Sequence, residues 1–397
     1  MNVHRSAQKD MKMRKLKIAV FFGGRSSEYS VSLESAYAVL RNLDQNRYEP
    51  VPVGISERGQ WYYYDGDIEQ IRQDRWLTEG NCIPAALSPD QEAHRLLLFE
   101  GDRMRTLEID AAFPVMHGRL GEDGTIQGMI QMAGIPLVGC GVLASALCMD
   151  KDRAHKLAAL AGVRTPESLC FGREEMEAGH LPHQNDREHC VRNALRHRAD
   201  SWQQEVLGFA ARTGYPLFVK PVKAGSSYGV TRVSREQELL PAVELAFQYD
   251  DQVIVEENIE GFEVGCAVMG NGELTVGEVD EIELAGGFFD YTEKYTLKTS
   301  AIHVPARVDQ KTAARIKETA RVLYRTLGCR GFARVDMFLT PEGEVVFNEI
   351  NTIPGFTEHS RYPGMMKAAG IGFPELLDRV IGLAVEEPGR ELKAAGL

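Results

Sequence analysis

The chain has 397 residues, 44% hydrophobic and 26% charged, with 38 glycines and 17 prolines. That is globular composition: collagen-like and low-complexity architectures are excluded, and the length exceeds what one hydrophobic core serves, so two or three domains are expected. A formal charge of −12 argues against nucleic acid or an anionic membrane as the main partner, and no run nears the roughly 20 apolar residues of a membrane span. The cysteines, scattered without a CxxC pair, read as reduced thiols of a cytoplasmic protein.

Residues 1–16 are basic without an apolar segment and read as a disordered lead-in. From Leu16 an apolar run closes on Gly23-Gly24, the pattern of a buried parallel strand, and helical periodicity follows from Ser32 to Leu43. A second apolar strand, Ala111 to Met116, runs into His117-Gly118-Arg119 and the loop Gly121 to Gly124. A helix from Thr125 to Ala133 and a strand from Pro136 to Gly139 come next. These βαβ units predict an open α/β domain over residues 17–139.

After the break at Gly139 to Gly141, one helix is expected from Leu143 to Ala161, with Asp150-Lys151 inside it. A central domain then covers residues 140–256 and carries a polar, His-rich insertion at 174–212. His180, His183, His189, Cys190 and His197 in that insertion are irregularly spaced, which favours solvated side chains over zinc ligands. Beyond it the pattern gives a strand Pro216 to Lys220, a small-residue loop Ala224 to Gly229, a strand Val230 to Val233, a helix Glu236 to Tyr249 and a strand Gln252 to Glu256. Residues 257–397 read as α+β, with a long helix from Gln310 to Leu327 and a hairpin from Phe332 to Ile350.

The hairpin carries the clearest chemistry. With Thr340 to Gly343 as the whole turn, Leu339 faces Glu344 and Arg334 faces Glu349. Alternation puts Arg334, Asp336, Glu349 and Asn351 on one face, with Asp336 and Glu349 as diagonal neighbours. Two carboxylates and an amide are hard oxygen ligands suited to Mg²⁺ on nucleotide phosphates; a surface ladder of charged pairs fits the periodicity equally well. Lys220, ahead of Gly225-Ser226-Ser227-x-Gly229, suits a phosphate site, although a plain hairpin turn has the same composition. Gly23-Gly24-Arg25-Ser26-Ser27-Glu28 is not a dinucleotide fingerprint, since it lacks GxGxxG.

In combination these segments resemble the D-alanine–D-alanine ligases. The match runs through Gly23-Gly24-x-Ser26-x-Glu28-x-x-Val31-Ser32, His117-Gly118-x-x-Gly121-Glu122-Asp123-Gly124-x-x-Gln127-Gly128 and Gly141-x-x-x-Ser145-Ala146-x-x-x-Asp150-Lys151. It continues through Lys220-Pro221 to Gly229 and Asn348-Glu349-Ile350-Asn351-Thr352-x-Pro354-Gly355-Phe356-Thr357. Residues 287–298 and His359-Ser360-Arg361-Tyr362-Pro363 look especially like vancomycin-resistance D-alanine–D-serine ligases. Ser30, where many members have Glu, and the length of the 174–212 insertion depart from the family pattern.

The resemblance implies a three-domain ATP-grasp fold, α/β and α+β, and a cytoplasmic, homodimeric enzyme that makes a D-alanyl dipeptide for peptidoglycan precursors. By position, Lys151, Lys220, Ser227 and Lys294 would contact ATP phosphates. Glu256, Glu257, Glu263 and the backbone at Ile259 would hold adenine and ribose, and Asp336, Glu349 and Asn351 two Mg²⁺ (or Mn²⁺). Glu28, aided by His117, Ser226 and Tyr295, would bind the first D-alanine. Arg334 and the Gly355 N–H would stabilise an oxyanion, while Ser360 and Arg361 would receive the second substrate, D-alanine or D-serine. Lys294 and Tyr295 would ride on a lid. Tyr295 stands where D-lactate-using members have histidine, and a neutral tyrosine admits an incoming ammonium. Another ATP-grasp ligase and a non-catalytic nucleotide-binding regulator are the competing readings.

Overall fold

The structure, a computed structural model, describes residues 14–174, 202–225, 228–284 and 300–386. Three sheets organise these residues. The first has seven strands in the order β6-β5-β4-β3-β2-β1-β7. They are β1 (Leu16–Gly23), β2 (Tyr48–Ile55), β3 (Trp61–Asp65), β4 (Asn81–Leu87), β5 (Arg95–Glu100), β6 (Arg103–Glu108) and β7 (Ala111–Pro114). As its apolar run requires, β1 is flanked on both sides, parallel to β2 and to the edge strand β7, and fully buried from Ile18 to Phe22. Leu16 already belongs to β1, one residue inside the expected lead-in. The ribbon β2 to β6 is antiparallel, so the domain is not purely βαβ. The strand expected at Pro136 to Gly139 reduces to a single bridge, Leu137 to Ala112.

Helix α1 (Tyr29–Asn42) packs on β1, and two short helices, α2 (Ile68–Arg72) and α3 (Trp76–Glu79), cover the same face. Helix α4 (Thr125–Met132) buries Ile126 and Ile130 against the opposite face. The single helix expected from Leu143 to Ala161 is two: α5 (Val142–Met149) and α6 (Lys151–Leu160). The break is at Asp150, whose extended backbone and carboxylate, accepting from the Arg153 N–H at 3.0 Å, make it the N-cap of α6.

The second sheet, in the order β10-β9-β11-β8, comprises β8 (Ser168–Gly172), β9 (Leu217–Pro221), β10 (Thr231–Val233) and β11 (Gln252–Glu257). A helix over 202–213, α7, and α8 (Leu239–Ala246) pack on it. Trp202, Val206, Phe209 and Ala210 are buried there, so the last third of the supposed solvated insertion is core. His180, His183, His189, Cys190 and His197 lie outside the described residues.

The third sheet has the order β14-β13-β12-β15-β16: β12 (Phe262–Met269), β13 (Thr275–Leu284), β14 (Ser300–His303), β15 (Phe332–Leu339) and β16 (Val345–Asn351). It is wholly antiparallel, with α9 (Gln310–Thr326) burying Ile316, Ala320 and Leu323 against it. The closing helices α10 (Arg361–Ala368) and α11 (Phe373–Val385) join the core of the first sheet. Phe113 of β7 meets Phe332 and Phe356 edge-on, with centroids 5.9 and 5.5 Å apart. Each such buried ring contributes about 1.5–3 kcal/mol, so this seam ties the N- and C-terminal sheets together.

Candidate active site

A cavity of about 610 Å³ opens where the three sheets converge. It is lined by Glu28, His117, Lys151, Gly225, Arg334, Glu349, Asn351, Gly355, Ser360 and Arg361, residues singled out from five separate stretches of sequence. Lys220, Glu256, Glu257, Ile259, Glu263 and Asp336 are not in its lining. Ser226, Ser227, Lys294 and Tyr295 lie outside the described residues.

At the N-terminal wall the Glu28 carboxylate, 7% exposed, fits between two glycine backbones. A Cβ at Gly118 would come within 2.2 Å of Glu28 Oε2 and one at Gly225 within 2.7 Å. Gly118 also has φ +71°, so both its missing side chain and its handedness are used. His117 sits beside it: Nδ1 is 2.8 Å from the Ile353 carbonyl, and Nε2 is 3.0 Å from Ser35 Oγ. A carbonyl only accepts, so Nδ1 carries the hydrogen and Nε2 takes the serine hydroxyl's. Burial lowers the His117 pKa against the opposing pull of Glu28, keeping the ring neutral.

Glu122, which sequence reasoning passes over although it stands in the same motif, also lines the cavity. It accepts the backbone N–H of Gly118 at 2.8 Å and of Ile353 at 3.0 Å, which ties the first sheet's loops to the segment after β16. Burial, and then Glu28, hold its carboxyl well above the ordinary carboxylate range.

On the central wall, the start of α6 puts Lys151 Nζ 2.9 Å from the Ala224 carbonyl and 3.9 Å from Glu349 Oε2. Lys220 Nζ donates to Glu256 Oε2 at 2.6 Å. Burial pushes the Glu256 carboxyl up, yet Lys220 and His155 outweigh it and its pKa ends below the ordinary value. Glu257 accepts the Glu167 N–H at 2.9 Å, and Ile259 is half-buried beyond the end of β11.

The hairpin differs from its expected register. Its turn is five residues, Thr340 to Glu344, so Leu339 pairs with Val345 rather than facing Glu344. That slip alone would turn Glu349 to the other face. A bulge restores it: Met337 pairs with Phe347, but Asp336 with Glu349 and Arg334 with Asn351, leaving Asn348 as the extra residue. Asp336 and Glu349 are therefore directly opposite, not diagonal, and Arg334 does not face Glu349.

Arg334 clasps Asp336 through Nε at 2.8 Å and Nη2 at 2.6 Å, and Asn351 Nδ2 donates to it at 2.9 Å. Arg361 lines the cavity and is at the same time held by carboxylates. Its Nε and Nη2 hold Asp280 at 2.7 and 2.9 Å, Nη1 holds Glu263 at 2.7 Å, and Nη2 lies 3.3 Å from Asp336. Glu263 is thus an ion-pair partner inside the third sheet. Ser360 Oγ accepts the Thr357 N–H at 3.1 Å, and Gly355 packs so closely that a Cβ would lie 3.0 Å from that oxygen. No group of three His, Cys, Asp or Glu arranged for a metal occurs among the described residues. The donors present are two carboxylates and an amide.

Comparison with known proteins gives one consistent result. A family model described as "D-ala D-ala ligase N-terminus" matches residues 17–140, and one described as "D-ala D-ala ligase C-terminus" matches residues 189–382. A Streptomyces coelicolor chain provisionally named as a D-alanine–D-lactate ligase is 43% identical over 379 residues, covering 94% of this chain and 99% of its own. The crystal structure of VanG D-Ala:D-Ser ligase from Enterococcus faecalis is 51% identical, with TM-score 0.81, covering 94% of this chain and 100% of that one. The structure of the D-alanine-D-alanine ligase from Coxiella burnetii is 31% identical, with TM-score 0.77, covering 96% of this chain and 97% of its own.

Proposed function

The chain belongs to the D-alanine–D-alanine ligase family of ATP-dependent, ATP-grasp ligases, and from that premise we propose that its cavity joins D-alanine to an amine acceptor, D-alanine or D-serine. The observation that carries this reading is that charged groups of both signs meet around one cavity, whose lining also holds Arg72 on the N-terminal side and Glu349 beside Lys151. A carboxylate, Glu28, stands at the N-terminal wall, where a substrate ammonium fits, and the cations Lys151 and Arg334 stand at the other walls, where phosphate and carboxylate oxygens fit.

The chemistry follows from that arrangement. An amide does not form from a carboxylate in water without activation, so a carboxylate oxygen of the first D-alanine attacks the γ-phosphorus of ATP and ADP departs. Such transfer needs positioning and charge neutralisation rather than a protein nucleophile. Lys151, Lys220, Ser227 and Lys294 are assigned to the phosphates by position, and of these Lys151 lines the cavity. The acceptor amine then attacks the acyl phosphate, phosphate leaves, and the oxyanion formed on the way takes hydrogen bonds from Arg334 and the Gly355 N–H. Ser360 is assigned to the acceptor's carboxylate, and Ser226 and Tyr295 to the first substrate. Glu256, Glu257, Ile259 and Glu263 are assigned to adenine and ribose; Lys220 and Arg361 hold two of these carboxylates.

The family implies two Mg²⁺ (or Mn²⁺) ions, and the donor chemistry fits them. Asp336 and Glu349 are cross-strand partners, with Asn351 beside Asp336, a partial set of hard oxygens that phosphate oxygens and water complete. When bound, the ions supply charge neutralisation on the transferred phosphoryl group. The same reading places the three functional units at 17–139, 140–256 and 257–397, in a cytoplasmic homodimer. Among the described residues no helix is long and apolar enough to cross a membrane.

An amine acceptor is supported by Tyr295, a neutral side chain at the lid position, and by the VanG likeness. Phosphate release in ATP and Mg²⁺ tests the reading: it should depend on D-alanine and not respond to L-alanine. Release indifferent to D-amino acids would refute it.

A further inference from the structure

His155 takes no part in the roles above, yet it is 3% exposed and joins two of their elements. It sits four residues after Lys151, on the same face of α6. Its Nε2 is 2.8 Å from the carbonyl of Asn348, the extra residue of the β16 bulge, and its ring packs edge-on against Phe347 with centroids 5.5 Å apart. Because a carbonyl only accepts, Nε2 carries the hydrogen. The other nitrogen, Nδ1, lies 3.7 Å from Glu256 Oε1, and neither atom has a hydrogen-bond partner among the described residues.

A bulge leaves its extra residue outside the ladder, so the Asn348 carbonyl needs a donor from elsewhere. Were the bulge ironed out, Asn348 would oppose Asp336 and Glu349 would oppose Val335, which is fully buried in the core. We propose that His155 is a positioning residue: its Nε2–H holds the bulge that keeps Glu349 and Asn351 on the face of Asp336. This rests on the metal-site reading of that face. The contact across to Glu256 is the weaker of its two, at 3.7 Å against 2.8 Å, so the bulge is the side that responds to its loss.

The test measures Mn²⁺ binding to the enzyme–ADP complex by electron paramagnetic resonance in wild type, E349Q, H155Q and H155N. A glutamine amide reaches the place of Nε2, whereas an asparagine amide reaches only that of Nδ1. H155Q should bind Mn²⁺ nearly as wild type does, while H155N should bind about 10-fold more weakly or worse, as loss of an outer-shell partner does. KM for D-alanine should stay close to wild type in both, and H155N should lose some Tm that H155Q keeps, since it leaves the Asn348 carbonyl without its donor. H155F, which keeps the ring but has no N–H, takes the place of H155N should the latter not fold. Equal Mn²⁺ binding by H155Q and the donor-less variant, or a loss spread evenly over kcat, both KM values and Tm, overturns the inference. Absent Mn²⁺ binding in wild type, or an E349Q variant unchanged from it, overturns the metal-site reading instead.

Discussion

The two ends of the cavity hold buried carboxylates in opposite ways. On the third sheet, Asp336, Asp280 and Glu263 share Arg334 and Arg361, so that each negative charge meets a guanidinium before any ligand arrives. At the N-terminal wall, Glu122 is held by backbone N–H groups, and Glu28 beside it raises its pKa further. The first region is an ion network in which two guanidiniums hold three carboxylates from β12, β13 and β15. The second crowds two carboxyls at one wall, where burial and Glu28 disfavour a charge on Glu122 and an incoming ammonium would ease that crowding.

Breaking the guanidinium network should have the largest effect. Arg361→Met strands buried carboxylates on three strands and should cost about 3–5 kcal/mol of stability in urea unfolding. A loss under about 1 kcal/mol would show that Arg361 acts as a surface ion pair does and not as the partner of buried carboxylates. Glu349→Gln keeps the strand and removes one charge from the phosphate-facing side. Turnover should fall about 100-fold, roughly 2.7 kcal/mol of barrier, with Tm nearly unchanged. Near-normal turnover at low Mg²⁺ would take Glu349 out of the site.

At the N-terminal wall, Glu28→Gln should raise KM for D-alanine by roughly 10-fold or more, the value of one charge-assisted hydrogen bond, and leave KM for ATP unaltered. Equal shifts in both constants would remove Glu28 from the ammonium site. Glu122→Gln gives the smallest effect and the finest test. A carboxyl whose pKa is raised by folding contributes stability that is full below its unfolded pKa and is lost as pH climbs through the folded one. The wild-type Tm should therefore drop more between pH 5 and pH 9 than that of Glu122→Gln. Parallel Tm profiles would contradict the crowding of Glu28 and Glu122.

What the sequence makes legible follows the range of the forces involved. The buried strand β1, the helix α9 and the hairpin are local patterns, and each forms within a residue or so of its reading. Asp150 carried a legible cap that the long apolar period around it obscured. The period Trp202, Val206, Phe209, Ala210 was likewise hidden by the polar run ahead of it. Prolines 50 and 52 mask β2, which tolerates them while pairing with β1. The shared face of Arg334, Asp336, Glu349 and Asn351 was foreseen, but on a four-residue turn that does not exist. A five-residue turn and a bulge cancel, and the bulge's donor, His155, is 193 residues away in sequence. Shorter separations, 98 residues to Glu263 and 81 to Asp280, likewise hide the Arg361 network, whose partners come from β12, β13 and β15. The closeness of Glu28 and Glu122 is invisible until two loops meet.

The central claim is that this cavity activates D-alanine and delivers it to an amine. The direct measurement is mass-spectrometric product analysis with ATP, Mg²⁺ and D-alanine, D-serine and D-lactate at equal concentrations near neutral pH. The account predicts dipeptides, D-alanyl-D-serine together with D-alanyl-D-alanine. D-alanyl-D-lactate as the main product would contradict it.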